Sequence, residues 1–127
     1  MSTNHVLEYL RLIDTGHFAE ALTHFEPDAM IISPSLRGGE ALNFQDFSEL
    51  VYDYERTATP EQLAEDHEVD KFVASGDTVM AEGFVTGPSS NRYFLISTRL
   101  APSGLIQRYS YLTWQVEDEK AVQVLRA

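Results

Sequence analysis

The sequence has no cysteine among its 127 residues. That excludes disulfide staples, thiolate metal sites and a cysteine nucleophile, and it suits a reducing compartment. Basic residues are scarce: 9 Lys and Arg stand against 20 Asp and Glu, a formal net charge of −11. Such a surface repels phosphate backbones and anionic headgroups, so neither nucleic acid nor a membrane is expected as a partner. No apolar run approaches the roughly 20 residues that span a bilayer. The first residues show no basic segment followed by an apolar one, so no secretory leader is expected and a cytoplasmic location is. There is no Gly-x-Gly-x-x-Gly, no P-loop and no Gly-x-Ser-x-Gly turn, so neither a nucleotide cofactor nor a serine-hydrolase elbow is expected. His5, His17 and His24 sit on or near the first two helical segments without a carboxylate on a shared face, and no metal is expected.

What is present fits one domain over residues 1–127. At this length roughly two-thirds of the unfolded surface can be buried, and 43% of the residues are apolar. Val6, Tyr9, Leu10 and Ile13 fall on one helical face, predicting a helix over residues 3–13 closed by Gly16. A second helix is expected over 17–25, with Phe18, Ala21, Leu22 and Phe25 inward and Pro27 as its stop. The short apolar run 29–32 predicts a buried strand. Asn43 is a good N-cap for a third helix carrying Phe44, Phe47, Leu50, Val51 and Tyr54. The second half changes period. Strands are expected over 63–74, 78–86, 92–100 and 105–116, with turns at Ser75-Gly76-Asp77, 87–91 and 101–104. The residues from 117 onward are a tail or a short closing element. The order α-α-β-α-β-β-β-β argues for an α+β domain, a curved, mostly antiparallel sheet wrapped around helices, with an open-ended pocket.

Several local patterns carry a resemblance. Glu8-Tyr9-Leu10 through Asp14-Thr15-Gly16-His17-Phe18 resembles a first helix and its turn; Phe25-Glu26-Pro27-Asp28-Ala29 an entry into the first strand; Ser33-Pro34 and Gly38-Gly39 a loop after it. Ser75-Gly76-Asp77-Thr78-Val79 resembles a hairpin, and Gly104-Leu105-Ile106-Gln107-Arg108-Tyr109 the start of a last strand. In this order they resemble the SnoaL-like and ketosteroid-isomerase-like families of the nuclear-transport-factor-2-like fold, across residues 6–114. The resemblance implies a cone-shaped cystatin-like domain that binds a small molecule. The isomerase base would fall at Ser33 and the second oxyanion donor at Ile96, neither of which can play that part. The helix-1 tyrosine has a counterpart in Tyr9, and the acidic residue of the last strand is replaced by Thr113.

The candidate catalytic residues are therefore Tyr9, as a hydroxyl donor to a substrate oxygen, and Glu82. Period-2 alternation puts Met80, Glu82, Phe84 and Thr86 on one face, and the resemblance points that face into the cavity, where Glu82 would be a desolvated acid or base. The alternative is an exposed-edge carboxylate, or one paired with Arg99 or Arg108. Ser33, Phe84, Thr98, Tyr109 and Tyr111 are the candidate ligand-binding residues. His67, between Asp66 and Glu68, is either a carboxylate-oriented proton shuttle or a partly exposed strand residue, the second being preferred. Trp114, opposite in parity to Tyr111, is expected outside the cavity.

Two functions are open on this basis. One is a cofactor-free enzyme, an isomerase, cyclase, dehydratase or hydrolase acting by acid/base chemistry on a small apolar metabolite. The other is a non-catalytic ligand-binding or protein-interaction module. Apolar residues on both faces of the last strands predict a homodimer for either.

Overall fold

The computed structural model describes residues 4–88 and 90–127. Thr3, at the predicted start of the first helix, and Ser89, within a predicted turn, lie outside the described residues. The chain runs through α1 (His5–Asp14), α2 (Phe18–Leu22), β1 (Phe25–Ile32), a 3₁₀ turn (Arg37–Gly39), β2 (Leu42–Asn43), α3 (Phe44–Thr57) and α4 (Pro60–Leu63). Then come β3 (Asp66–Ser75), β4 (Thr78–Gly87), β5 (Ser90–Leu100), β6 (Ile106–Gln115) and α5 (Glu119–Arg126). The strands form one sheet in the order β2-β1-β6-β5-β4-β3. β1 and β6 are parallel, and the other neighbours are antiparallel. This is the α+β architecture expected from the element order.

Local chemistry explains the boundaries that position the cavity. α1 starts where the Asn4 side chain accepts from the Leu7 N–H at 3.1 Å. It ends in a Schellman motif, with His17 N–H on the Leu12 carbonyl at 2.8 Å, Gly16 N–H on Ile13, and Gly16 at φ 81°. α3 starts at Asn43, whose side chain accepts from the Asp46 N–H at 2.8 Å. Val6, Leu10, Phe18, Ala21, Phe47 and Val51 pack from these helices onto Ile31, Ile96 and Ile106 of the sheet's inner face.

Two expectations are corrected, and the choice left open at the C-terminus falls to a short closing element. The second helix stops at Leu22, and Phe25 opens β1 instead. Pro27 therefore lies within a strand, which is tolerable because the β1–β6 register shifts between Phe25 and Met30, and β2 pairs only with Met30 and Ile31. Leu63 belongs to α4, which Thr59 and Gln62 open with a reciprocal capping box, so the third-quarter strand begins at Asp66. The C-terminal residues form α5. Its Ala121, Val122 and Leu125 cover Phe84, Tyr93 and Val116 on the outer face of the sheet, and the Arg126 guanidinium stands 4.4 Å over the Phe84 ring.

β3 bends at a register shift between Val69 and Lys71. Opposite it, a Cβ on Gly83 would lie 1.9 Å from the Glu68 carbonyl oxygen. Only glycine permits that approach, and it lets β3 turn His67 and Val69 toward the helices.

Candidate functional site

Between the concave face of the sheet and the helices lies a cavity of about 380 Å³. Strand parity decides what reaches it. Across β3, β4 and β5, His67 aligns with Val85 and Val85 with Arg92. From β6, Tyr109, Tyr111 and Thr113 face the same way. Leu10, Ile13, Phe18, Ile31, Phe47 and Val85 supply an apolar wall.

The chemistry concentrates at His67. Asp14, the last residue of α1, accepts the His67 backbone N–H at 2.7 Å through Oδ2. Its Oδ1 lies 2.7 Å from His67 Nδ1. A carboxylate can only accept here, so Nδ1 carries the hydrogen, and in the neutral ring Nε2 presents its lone pair. The Tyr111 hydroxyl, 3.1 Å from Nε2, then donates to it. The His67 and Asp14 side chains are only 14% and 11% exposed, so the dyad is shielded yet opens on the cavity. By sequence His67 is a partly exposed strand residue, the preferred reading, or a shuttle oriented by a carboxylate beside it at Asp66 or Glu68. The ring does sit in a strand, 14% exposed, but the carboxylate that holds it is Asp14, because β3's inward parity sends His67 to α1 while its two neighbours point away.

Burial raises the proton affinity of every tyrosine around this cavity. Tyr111 is pushed up to about 12, chiefly by desolvation, with Arg92 opposing. Tyr9 and Tyr109 are raised further by burial, and Tyr54 is raised as well. These phenols are donors, not bases. The Tyr9 and Tyr109 hydroxyls have no hydrogen-bond partner among the described residues. Their rings meet edge to face at 5.4 Å.

At the polar end, both carboxylate oxygens of Glu65 lie 3.2 Å from Arg92 Nη2. The Tyr54 hydroxyl donates to the Gln62 carbonyl at 3.2 Å and ties α3 to α4 beside them.

Of the sequence-derived candidates, Tyr9, Ser33, Tyr109 and Tyr111 line the cavity. Ser33 is buried, with its hydroxyl 3.0 Å from that of Ser35. Glu82, Phe84 and Thr98 do not line it. Glu82 and Phe84 are on the outer face, because β4 sends Val79, Ala81, Gly83 and Val85 inward. Glu82 there accepts from the Tyr93 hydroxyl and lies 3.6 Å from Lys71 Nζ, and pairs with neither Arg99 nor Arg108. Phe84 is sealed under α5. Thr98 faces inward but spends its hydroxyl on the Val79 carbonyl at 2.9 Å. Trp114 is 42% exposed on the outer face, as its parity predicted. Asp14, Glu65 and Arg92 were missed. Their partners lie 53 and 27 residues away, and no local pattern encodes such pairings. His5 and His24 meet each other with Nδ1 atoms 2.7 Å apart, away from the cavity. Among the described residues no group of three His, Asp or Glu side chains is placed to hold a metal ion.

This fold, a curved six-stranded α+β sheet packed with helices, is similar to solved structures described as NTF2-like, ketosteroid-isomerase and SnoaL-like. Among solved structures, an NTF-2 like protein of unknown function from Burkholderia xenovorans matches 97% of this chain and 90% of its own at 13% identity, with a TM-score of 0.70. A candidate ketosteroid isomerase from Kribbella flavida matches 90% of this chain and 78% of its own at 12% identity and a TM-score of 0.69. The epoxide hydrolase/cyclase-like enzyme SalBIII, with a role in pyran ring formation in the polyether salinomycin, matches 87% and 88% at 17% identity and a TM-score of 0.66. No family model and no curated protein matches the sequence. No helix among the described residues is long and apolar enough to cross a membrane.

Proposed function

We propose that this protein is a cofactor-free acid/base enzyme that moves a proton on a small, mainly apolar metabolite bound in the cavity, with His67 as the catalytic base and acid. The observation that carries this reading is the Asp14–His67–Tyr111 chain, which fixes the tautomer of a shielded imidazole and aims its lone pair at the cavity side. Ligand binding draws the Tyr111 hydroxyl from Nε2 to a substrate oxygen. Nε2 then takes a proton from a neighbouring carbon or hydroxyl, and the imidazolium, stabilised by Asp14, returns it elsewhere on the substrate. Tyr9 and Tyr109 supply further donors for substrate oxygens, and Ser33 a small polar contact. Isomerisation, cyclisation, dehydration and hydrolysis all fit this sequence of transfers. The protein works as a cytoplasmic homodimer, an assembly supported by the apolar outer face discussed below.

The test begins with native mass spectrometry of the purified protein and denaturing extraction of any retained small molecule. With that molecule or a close analogue as substrate, His67→Asn should lower turnover on the order of 10²–10⁴-fold. Asp14→Asn should lower it by a similar factor, since an amide no longer fixes Nδ1–H. Unchanged turnover in His67→Asn would refute the reading. The second reading, a non-catalytic module, is favoured by the loss of carboxyls at Ser33 and Ile96. It predicts that the extracted ligand leaves chemically unaltered, and that His67→Asn retains it equally well.

A further inference from the structure

We propose that Thr113 is the positioning residue of Tyr111: when a ligand oxygen takes the Tyr111 hydrogen from His67, the Thr113 hydroxyl donates to the Tyr111 oxygen and holds the phenol in its donating pose. The ligand group this serves is an uncharged acceptor oxygen, a carbonyl above all. The inference deepens the acid/base reading and rests on it for the reaction, though not for the binding.

Among the described residues, two buried side-chain polar atoms have no hydrogen-bond partner, Arg108 Nε and Thr113 Oγ1. Arg108 is on the outer face, where its Nη2 donates to the Ser97 hydroxyl at 3.2 Å. Thr113 is on the inner face and lines the cavity. A buried hydroxyl left unpaired is costly, and a strand offers a ready remedy in a neighbouring carbonyl. Thr98, on the same face, takes that remedy by donating to the Val79 carbonyl at 2.9 Å. Thr113 makes no such bond in the arrangement where Tyr111 donates to His67.

The surroundings name the partner. Tyr111 is two residues back on β6, so both side chains leave the same face of the strand. Phe94, the cross-strand neighbour of Thr113, lies beneath the group. The Tyr111 ring stacks on it at 6.2 Å, and the His67 ring meets it edge to face at 5.1 Å. The proton affinity of Tyr111 registers the Thr113 hydroxyl. Burial raises it; Arg92 by charge and Thr113 by hydrogen bonding oppose the rise, while Asp14 and Glu65 add to it. A hydroxyl that favours the ionised phenol is one placed to donate to its oxygen.

Hydrogen-bond accounting then separates two arrangements. With Tyr111 donating to His67 Nε2 at 3.1 Å, the Thr113 hydroxyl is left over. With Tyr111 donating to a ligand oxygen, Nε2 is freed to accept a proton, and the Thr113 O–H turns to the Tyr111 oxygen. Both hydroxyls are then paired. The chain from Thr113 through Tyr111 to the ligand polarises along its length, which strengthens the donor at its end. Thr113 thus offsets part of what is lost when the Tyr111–His67 bond opens.

The size of the cavity makes a direct test practical. About 380 Å³ holds roughly a dozen waters at ~30 Å³ each, enough for a substituted single ring. The probes are acetophenone and ethylbenzene, close in shape and differing in the carbonyl. Thr113→Val removes the hydroxyl and keeps the branched side chain. It should weaken acetophenone binding about two- to tenfold and leave ethylbenzene binding unchanged. The infrared stretch of bound acetophenone, isotope-labelled at the carbonyl, should lie lower in the wild type than in Thr113→Val, because a weaker donor polarises the carbonyl less. Thr113→Ser should restore both readouts, with thermal melts confirming that each variant folds. In a Tyr111→Phe background Thr113→Val should change neither readout, since it acts through the phenol. Equal affinity and equal stretch in wild type and Thr113→Val would overturn the inference. So would a loss that persists without the Tyr111 hydroxyl, no rescue by serine, or no acetophenone binding at millimolar concentration. If both readouts move as expected but His67→Asn turns over the extracted metabolite normally, the acid/base reading fails and the role of Thr113 stands.

Discussion

Tyr111 joins two demands in one phenol. Its hydroxyl must donate to His67 Nε2, and its ring must pack beneath the helices, stacked 6.2 Å from Tyr109 and 6.2 Å from Phe94. Burial therefore lifts its proton affinity from 10.0 to about 12. The unfolded chain releases this proton as the pH passes 10.0, whereas the folded chain holds it until about 12. In that window the unfolded state binds fewer protons, so stability falls as pH rises. One such group contributes a slope of about 1.4 kcal/mol per pH unit. Tyr9 and Tyr109, raised by the same cause, steepen it. Urea unfolding between pH 10 and 12 should thus show steadily falling stability, and Tyr111→Phe should remove about one such increment of slope. An unchanged slope would mean that the phenol is solvated in the folded state.

At the scale of the elements, the site depends on how β3 is bent. Gly83 opposes the register shift after Val69, and any side chain there would collide with the Glu68 carbonyl. Gly83→Ala should cost about 1–3 kcal/mol in chemical denaturation and should also weaken ligand retention, because straightening β3 withdraws His67 from Asp14. An alanine variant as stable as the wild type would show that the bend is not fixed here. The same strands show what the sequence could disclose. Asn43 as a cap, Gly16 as a helix terminator and the hairpin at Gly76 are local chemistry, legible in a few residues, and they carried most of the architecture. The side of β4 that faces the cavity was not legible. Met80 and Phe84 are as apolar as Val79 and Val85, because α5 covers part of the outer face and makes a second small core there. Alternation then gives a period without a sign, and Glu82 was assigned to the wrong side. The dyad was out of reach for a different reason. The partner of His67 is set by the docking of α1 against β3, a long-range contact with no trace in residues 66–68.

At the scale of the whole molecule, the outer face of the sheet is only half covered. α5 shields Phe84 and Tyr93, but Met30 and Ile32 of β1, Met80 of β4, and Leu112 and Trp114 of β6 remain 38–46% exposed. Ile32, Pro34, Met80, Leu95 and Leu112 line an almost wholly apolar groove across these strands. With a net charge of −11, distant parts of two copies repel each other, so association must come from this patch, where no carboxylate is among the groove's lining residues. A stable dimer buries about 800 Å² per partner, and a two-fold contact of this face against itself would place Leu112 and Trp114 near the symmetry axis. Light scattering at micromolar concentration should therefore report twice the chain mass. Leu112→Arg, which sets like charges against each other at the centre of the contact, should yield a folded monomer. Raising the salt concentration should tighten the wild-type dimer by screening the repulsion between the two acidic bodies. A wild-type monomer at that concentration would remove the dimer from the proposal and leave the cavity chemistry untouched, because His67, Asp14, Tyr111 and Arg92 all lie on the opposite face of the sheet.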